Sequence, residues 1–378
     1  MEKPLVSVVI PTYNRYVYLK GSIEACLSIP TRNFEIIVQD NTPDNTEIID
    51  YLGKIADERV KYFYEPVHIS MTENCDLGVM HASGEYVCLL GDDDCVCENI
   101  LRAASYCKKN DVDACCFPFP GFNWTDMTFD GKSLKDPRYF IREKADGSVR
   151  ILDSRKELLD SLHSGAGLNS TMPRAYHGMV AKQCLDRIYE KLGTYFPGPS
   201  PDMANAIVTC LESKKTIYLS DYLIVSGYGY KSARGEGNRG QHFGKIEEKP
   251  WLPKDVMSKW DRNIPKIFSG ETIIAQSAVQ AMNAWGCNKK EYRYPYSHLY
   301  ATFFWHHKDI AKTALAFYLQ SPWRFGQFVK GCFQRLLIKF RKPEVSYSIK
   351  NDEIATLAKA KEYTESISKG LDYLPASI

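Results

Sequence analysis

Short apolar runs alternate with amphipathic segments through the first hundred residues. Leu5–Ile10 is β-branched and halts at Pro11, the pattern of a buried parallel strand. Residues Tyr18–Ser28 carry apolar side chains at Leu19, Ile23, Cys26 and Leu27, a spacing that predicts a helix closed by Pro30. Phe34–Gln39 reads as a second buried strand. A helix from about Asn45 to Asp57, a short strand Val60–Tyr64, a helix Thr72–Ala82 and a strand Tyr86–Leu90 continue the alternation. The order βαβαβαβ predicts an α/β, doubly wound, mainly parallel sheet, whose ligands lie beyond the carboxyl ends of its strands.

Those ends are polar. They supply Thr12–Arg15, then Asp40 with Asn41, then Asp92, Asp93 and Asp94. Three adjoining carboxylates repel one another, and a hard divalent ion with oxygen ligands relieves that repulsion while also neutralising a substrate phosphate. An acidic turn capping a helix Cys97–Asn110 is the competing reading of the triplet, and turn chemistry alone is that of the other two clusters. Three such clusters at three strand ends favour a shared crevice. Neither Gly-x-Gly-x-x-Gly nor a P-loop is present, so phosphates would have to be held by a metal and basic side chains.

The stretches Ser7–Arg15, Glu35–Asn41 and Ser83–Asp94 together resemble the family 2 glycosyltransferases of the bacterial surface-polysaccharide type. The resemblance is good over residues 4 to about 110 and looser to about 225. It implies a GT-A (nucleotide-diphospho-sugar transferase) fold and an inverting transfer from a nucleotide-diphosphate sugar with Mn²⁺ or Mg²⁺, uracil being the favoured base. It further implies a donor site of Pro11, Thr12, Tyr13, Arg15, Asp40, Asn74, Asp92 and Asp93. Asp94, with Asp92, is the implied metal ligand pair. Two departures stand out: Gln39 occupies a position where the family commonly has an acid, and Glu73 precedes Asn74 where it commonly has Arg. An inverting transfer also needs a carboxylate to take the acceptor's proton. The family pattern places it at a helix start well after the metal motif, where Tyr195–Asp202 offers a Pro/Gly turn and then Asp202. An ordinary N-cap is the structural alternative for Asp202, and a preceding strand, Ala175–Ala181, puts His177 near the same crevice, either as a contact of the acceptor hydroxyl or as a core histidine.

Residues 123–175 interrupt the alternation and read as an acceptor-side insertion, with Trp124, Tyr139, Phe140 and Tyr176 as candidate sugar-stacking rings or core residues. The catalytic domain is accordingly expected over 1–225, a glycine-rich loop or linker over 226–270 and a helical region over 271–378. Lys231, Arg234, Arg239 and His242 suit a cationic flap over a pyrophosphate or a plain linker, with His242 a further metal-ligand candidate. Expected helices are Glu271–Gly286, Tyr296–Tyr318, Pro322–Phe340 and a charged one over Asp352–Lys369 beside it. Residues 322–342 combine a repeating aromatic face with basic residues and no acid, which fits either an anionic membrane surface or a protein-docking face.

Composition adds limits. With 48 basic and 46 acidic residues among 378, the formal charge of +2 gives no global field for nucleic acid. The twelve cysteines lack zinc-site spacing and read as reduced core residues. With neither a signal-peptide pattern nor a long apolar run, a cytoplasmic location is expected, peripheral to the membrane if 322–342 binds it. The expected partners are a nucleotide-sugar donor and a glycan or lipid-linked acceptor in polysaccharide biosynthesis. Sugar-1-phosphate nucleotidyl transfer, or a non-catalytic carbohydrate-binding scaffold on the same fold, are the alternatives.

Overall fold

The computed structural model of the protein describes residues 3–129, 132–133, 139–240, 242–338, 347–349 and 354–373. Its first seven elements are β1 (Val6–Thr12), α1 (Tyr16–Leu27), β2 (Phe34–Asp40), α2 (Thr46–Ile55), β3 (Val60–Tyr64), α3 (Met71–His81) and β4 (Tyr86–Leu89). The four strands are parallel and lie in the order β4-β1-β2-β3. Beyond β4 the eight-stranded sheet continues with Met179–Ala181, Ala114–Cys116, Thr216–Leu219 and Val149–Leu152, of which Met179–Ala181 runs antiparallel to both its neighbours. The expected doubly wound, mainly parallel α/β sheet is therefore present, followed by a helical C-terminal region.

Successive side chains of a strand point to opposite faces, so each buried strand feeds two cores. Val9, Ile37, Val87 and Leu89 join α3 and the helices Pro201–Glu212 and Gly270–Trp285 in one core. Val8, Ile10, Ile36, Val38 and Cys88 join α1 and the helix Asn99–Lys109 in the other. All twelve cysteines are free and ten are buried, behaving as small core residues.

β1 does not stop at Pro11 but runs to Thr12, opposite Asp40. Its pairing with β4 ends at Val9, so the N–H that proline lacks faces no strand on that side. The strand expected over Ala175–Ala181 is confined to Met179–Ala181, because His177 adopts a left-handed φ of 53° and turns the chain. No helix starts at Cys97: Cys95–Val96 is a strand, and the helix begins at Asn99 with Glu98 in the cap position.

A second, five-stranded sheet runs in the order Tyr347–Ile349, Tyr139–Ile141, Gly121–Asn123, Ile224–Tyr228 and Cys95–Val96. The 225/226 boundary thus falls inside a strand, and the glycine-rich segment continues into a helix, Ala233–Asn238. The helix expected over Tyr296–Tyr318 divides into Tyr296–His306 and Ala311–Leu319 at His307, whose ring stacks on Phe243 and bonds Glu271. Pro322–Ile338 is helical, and residues 339–342 of the expected basic helix lie outside the described residues. The last helix, Leu357–Ser368, packs on α1 and the second sheet rather than beside Pro322–Ile338. Lys361 reaches Ser28 at 2.9 Å, and Thr364 bonds the hydroxyl of Tyr139 at 2.8 Å.

One buried acid ties the parallel strands together. Glu35 of β2 accepts hydrogen bonds from Ser7 Oγ of β1 at 2.5 Å, from the Ser83 N–H at 2.7 Å and from Lys61 of β3. Burial alone would raise its pKa, but the bonds from Lys61, Ser7 and Ser83 outweigh that and lower it. A lowered folded pKa means stability that is present above the unfolded value of about 4.3 and lost as pH falls through the folded one. Glu35→Ala is expected to cost about 2–4 kcal/mol at pH 7, since it strands buried donors. In urea unfolding, the gap between wild type and variant should shrink as pH drops below about 4; a gap constant from neutral to acid pH would show that the charge does not tie the strands.

Candidate functional site

The register that aligns β1, β2 and β4 sets their polar ends side by side. Asp92, Asp93 and Asp94 follow β4, and all three are buried. Burying like charges is costly, so each carboxylate must find donors. Asp92 accepts from the Thr12 hydroxyl at 2.7 Å. The Arg15 guanidinium lies 3.1 Å from Asp92 and 2.9 Å from Asp93. Burial would lower the pKa of Arg15, but these two carboxylates raise it instead. For Asp92 and Asp93 burial is the larger influence and pushes both up, against Arg15. One guanidinium does not neutralise the cluster.

Asp94 faces inward. Its Oδ2 accepts from the Gly91 N–H at 2.7 Å and sits 2.6 Å from His177 Nε2, while its Oδ1 accepts from the Gly227 N–H at 2.7 Å. Asp93 accepts from the Gly229 N–H at 3.1 Å, and its carbonyl takes the indole N–H of Trp124 at 3.1 Å. Asp94, first in the expected ligand pair, thus spends both oxygens on protein donors. Asp92 Oδ1 is buried and makes no hydrogen bond of good geometry, but it is the oxygen that faces the Arg15 guanidinium at 3.1 Å, so a cation already sits against it. Among the described residues no cluster of three or more His, Cys, Asp or Glu side chains has the geometry of a metal centre.

The other expected donor-site residues divide. Asp40 accepts from the hydroxyls of Tyr16 at 2.7 Å and Tyr62 at 2.8 Å, and from the Thr42 N–H at 2.8 Å. Asn74 on α3 donates to the carbonyls of Thr12 and Gln39, each at 3.3 Å, clamping the ends of β1 and β2 together. Pro11 lies at the end of β1 beside that clamp. Tyr13 is exposed and meets His68 edge to face at 5.4 Å. His242 contacts Glu236 and Phe268 and joins no carboxylate of the Asp92–Asp94 cluster among the described residues. Lys231 reaches the Asn14 carbonyl at 3.4 Å, whereas Arg234 lies over Tyr228 and Arg239 over Tyr230.

Asp202 is the second residue of its helix, not the cap, because Pro201 with its preset φ begins the helix. Its carboxylate accepts from the Ser200 hydroxyl and, at 2.8 Å, from the Met203 N–H. Burial pushes the Tyr176 phenol well up, and the charges of Asp94, Asp93 and Asp202 add to that rise. The Tyr176 ring also stacks on His177 at 4.0 Å. Two further residues fix this region. Asn205, fully buried, accepts from the Ala175 N–H at 2.8 Å and donates to the Tyr195 carbonyl at 3.1 Å. Asp76 accepts from the Tyr195 N–H at 2.7 Å and from the Thr194 hydroxyl at 2.5 Å, and burial pushes its pKa up to about 6.

Sequence reasoning missed His177, Gly227 and Gly229 as partners of the cluster. The signal was the Gly-Tyr-Gly of residues 227–229, which reads as a mobile loop until the strand pairing places it against Asp93.

Residues 7–156 match the family described as "Glycosyl transferase family 2". "Glycosyltransferase GlyG" of Streptococcus pneumoniae is 29% identical over 195 residues, 46% of this chain and 65% of its own length. "GalNAc(5)-diNAcBac-PP-undecaprenol beta-1,3-glucosyltransferase" of Campylobacter jejuni is 37% identical over 93 residues, 24% of this chain and 30% of its own. The structure of S. aureus TarS 1–349 in complex with UDP-GlcNAc aligns at a TM-score of 0.47 and 14% identity, over 96% of this chain and 88% of that one. The chain spans less than two thirds of the length of the curated relatives it first matches.

A Cβ added at Gly227 would fall 1.7 Å from the Asp93 carbonyl oxygen and 2.7 Å from the Trp124 indole nitrogen. Gly227→Ala is therefore expected to lose about 2–3 kcal/mol in denaturant unfolding, from overpacking and displacement of the Asp94 bond. Wild-type stability in that variant would show that the strand can withdraw from the cluster.

Proposed function

Given that residues 7–156 are those of a glycosyl transferase family 2 member, we propose that the protein is an inverting glycosyltransferase that moves a sugar from a nucleotide-diphosphate donor, UDP-linked, to a hydroxyl of a glycan or lipid-linked acceptor. The observation that carries this reading is the buried Asp92–Asp94 cluster at the end of β4, where one guanidinium, Arg15, is shared by Asp92 and Asp93.

In this reading Asp202 takes the proton of the acceptor hydroxyl as its oxygen attacks the anomeric carbon. The bond to the diphosphate breaks and its electron pair leaves on the phosphate oxygen, so one displacement inverts the centre. Asp202 lies in the first turn of its helix, where its carboxylate accepts from the Ser200 hydroxyl and the Met203 N–H. Arg15 offers positive charge to the diphosphate, and Tyr13 with Asp40, Thr12, Pro11 and Asn74 forms the donor's nucleoside side.

A divalent ion, Mn²⁺ or Mg²⁺, would be held by Asp92 and Asp93, the two carboxylates that Arg15 pairs with in this structure, with Asp94 as their buried support. Bound there, it would neutralise the departing diphosphate. His242 has no part in this ligand set. The lipid-linked acceptor is supported by the C. jejuni relative, whose name gives an undecaprenol-linked glycan as what it acts on. No described helix is long and apolar enough to cross a membrane. We place the enzyme at the cytoplasmic face, where nucleotide sugars are made.

Asp202→Asn should keep donor affinity in calorimetry while transfer falls by at least about a hundredfold; unchanged turnover would remove Asp202 from the chemistry. Asp93→Asn should weaken donor binding in Mn²⁺ by at least about tenfold, and wild-type affinity that is equal in Mn²⁺ and in EDTA would remove the ion from the site.

A further inference from the structure

The helix Pro322–Ile338 docks through one face only. A Cβ at Gly331 would lie 1.8 Å from the Ser297 carbonyl oxygen, so the helix sits backbone to backbone on Tyr296–His306. Phe328, on the same side, packs against Phe304 at 5.0 Å and Tyr318 at 5.0 Å. The close approach turns the rest of the apolar surface outward. Phe325, Val329, Phe333 and Leu336, spaced at i, i+4, i+8 and i+11, share one stripe of the helix and are all exposed, Phe333 by 66% and Leu336 by 61%. Leu319 and Trp323, just before and at the helix start, are exposed as well.

Charge beside this stripe has one sign. Lys330 and Arg335 lie on the helix, and no acid occurs from Pro322 to Pro343. At the start of the helix a depression of about 530 Å³ is lined by Arg262, Asn263, Ser321, Trp323 and Arg324. Arg324 is anchored there by its bond to the Arg262 carbonyl at 2.6 Å, and its Nε is buried without a hydrogen-bond partner. Two arginines and an exposed tryptophan at one end of an apolar stripe match a phosphate headgroup above acyl chains.

We propose that this face is a membrane-docking surface, in which Phe325, Val329, Phe333 and Leu336 enter the interface of a bilayer containing anionic phospholipid. Arg262, Arg324 and Lys330 then meet its headgroups. The surface lies outside the proposed catalytic machinery, so its test does not depend on the reaction.

The full chain is sedimented with vesicles of phosphatidylcholine alone and with vesicles containing phosphatidylglycerol. Wild type should partition to the anionic vesicles at least about tenfold more strongly, and less so as salt rises. Phe333→Ser with Leu336→Ser, both at exposed positions, should reduce that partition by at least about tenfold, as should Arg262→Glu with Lys330→Glu. Circular dichroism and the unfolding midpoint should stay at wild-type values. Failure of wild type to bind anionic vesicles, or undiminished binding by both double variants, would overturn the proposal. So would a dimer that Phe333→Ser with Leu336→Ser dissolves while no vesicle binding occurs, since the stripe would then cover a second copy.

Discussion

Three carboxylates at the end of one buried strand impose the constraint from which the site's architecture follows. Water cannot solvate them there, and an uncompensated buried charge is among the costliest features a fold can hold. The chain answers from distant parts of its sequence. Thr12 and Arg15 come from the end of β1, Gly91 from the turn itself, His177 from a left-handed turn against β4, and Gly227 and Gly229 from a strand of the second sheet. Each donor fixes an element: β1 beside β4, the 175–178 turn above β4, and the second sheet against the first.

That set divides labour among the three acids. Asp94, surrounded by two backbone N–H groups and His177, acts as a structural pin. Asp92 and Asp93 share Arg15, and burial still pushes both toward the protonated form. They retain an appetite for positive charge that the protein alone leaves unmet. A binding site for a diphosphate with its cation is the chemistry such a deficit suits, and preorganised donors lower the reorganisation needed when the substrate arrives.

Much of the fold was legible from period alone, because β1, β2 and β4 are buried on both faces and read as uninterrupted apolar runs. The three polar clusters were legible too, since strand ends in a parallel sheet converge. What the sequence hid has a physical cause in each case. Pro11 breaks a strand only where its missing N–H would have faced a partner, and nothing local records that β4 stops short of it. Pro201 moved the helix start by its fixed φ, which shifted Asp202 from cap to first turn. Gly227 and Gly229 look like hinge residues in one dimension, yet their lack of a side chain serves close approach, to the Asp93 backbone and to the Tyr18 ring. His177 could be placed near the crevice, but its bond to Asp94 could not, because that partner lies at a sequence separation of 83 residues.

These long-range bonds bear on how the site forms. Asp94 gains its Gly227 donor only once Ile224–Tyr228 has paired with Gly121–Asn123 and with Cys95–Val96, the strand that directly follows the acidic triplet. The same segment that carries the acids is therefore an edge of the second sheet, and the two sheets cannot shift relative to one another without exposing or stranding a carboxylate. Asn205 and Asp76 extend this logic to the proposed base: one bonds the turn that presents Tyr176 and His177, and both bond the Tyr195 backbone ahead of Asp202. Buried polar residues thus hold the backbone on either side of the turn that carries Tyr176 and His177 and ahead of Asp202. Such a satisfied buried network specifies one arrangement of these segments, so it is tied to geometry more than to net stability.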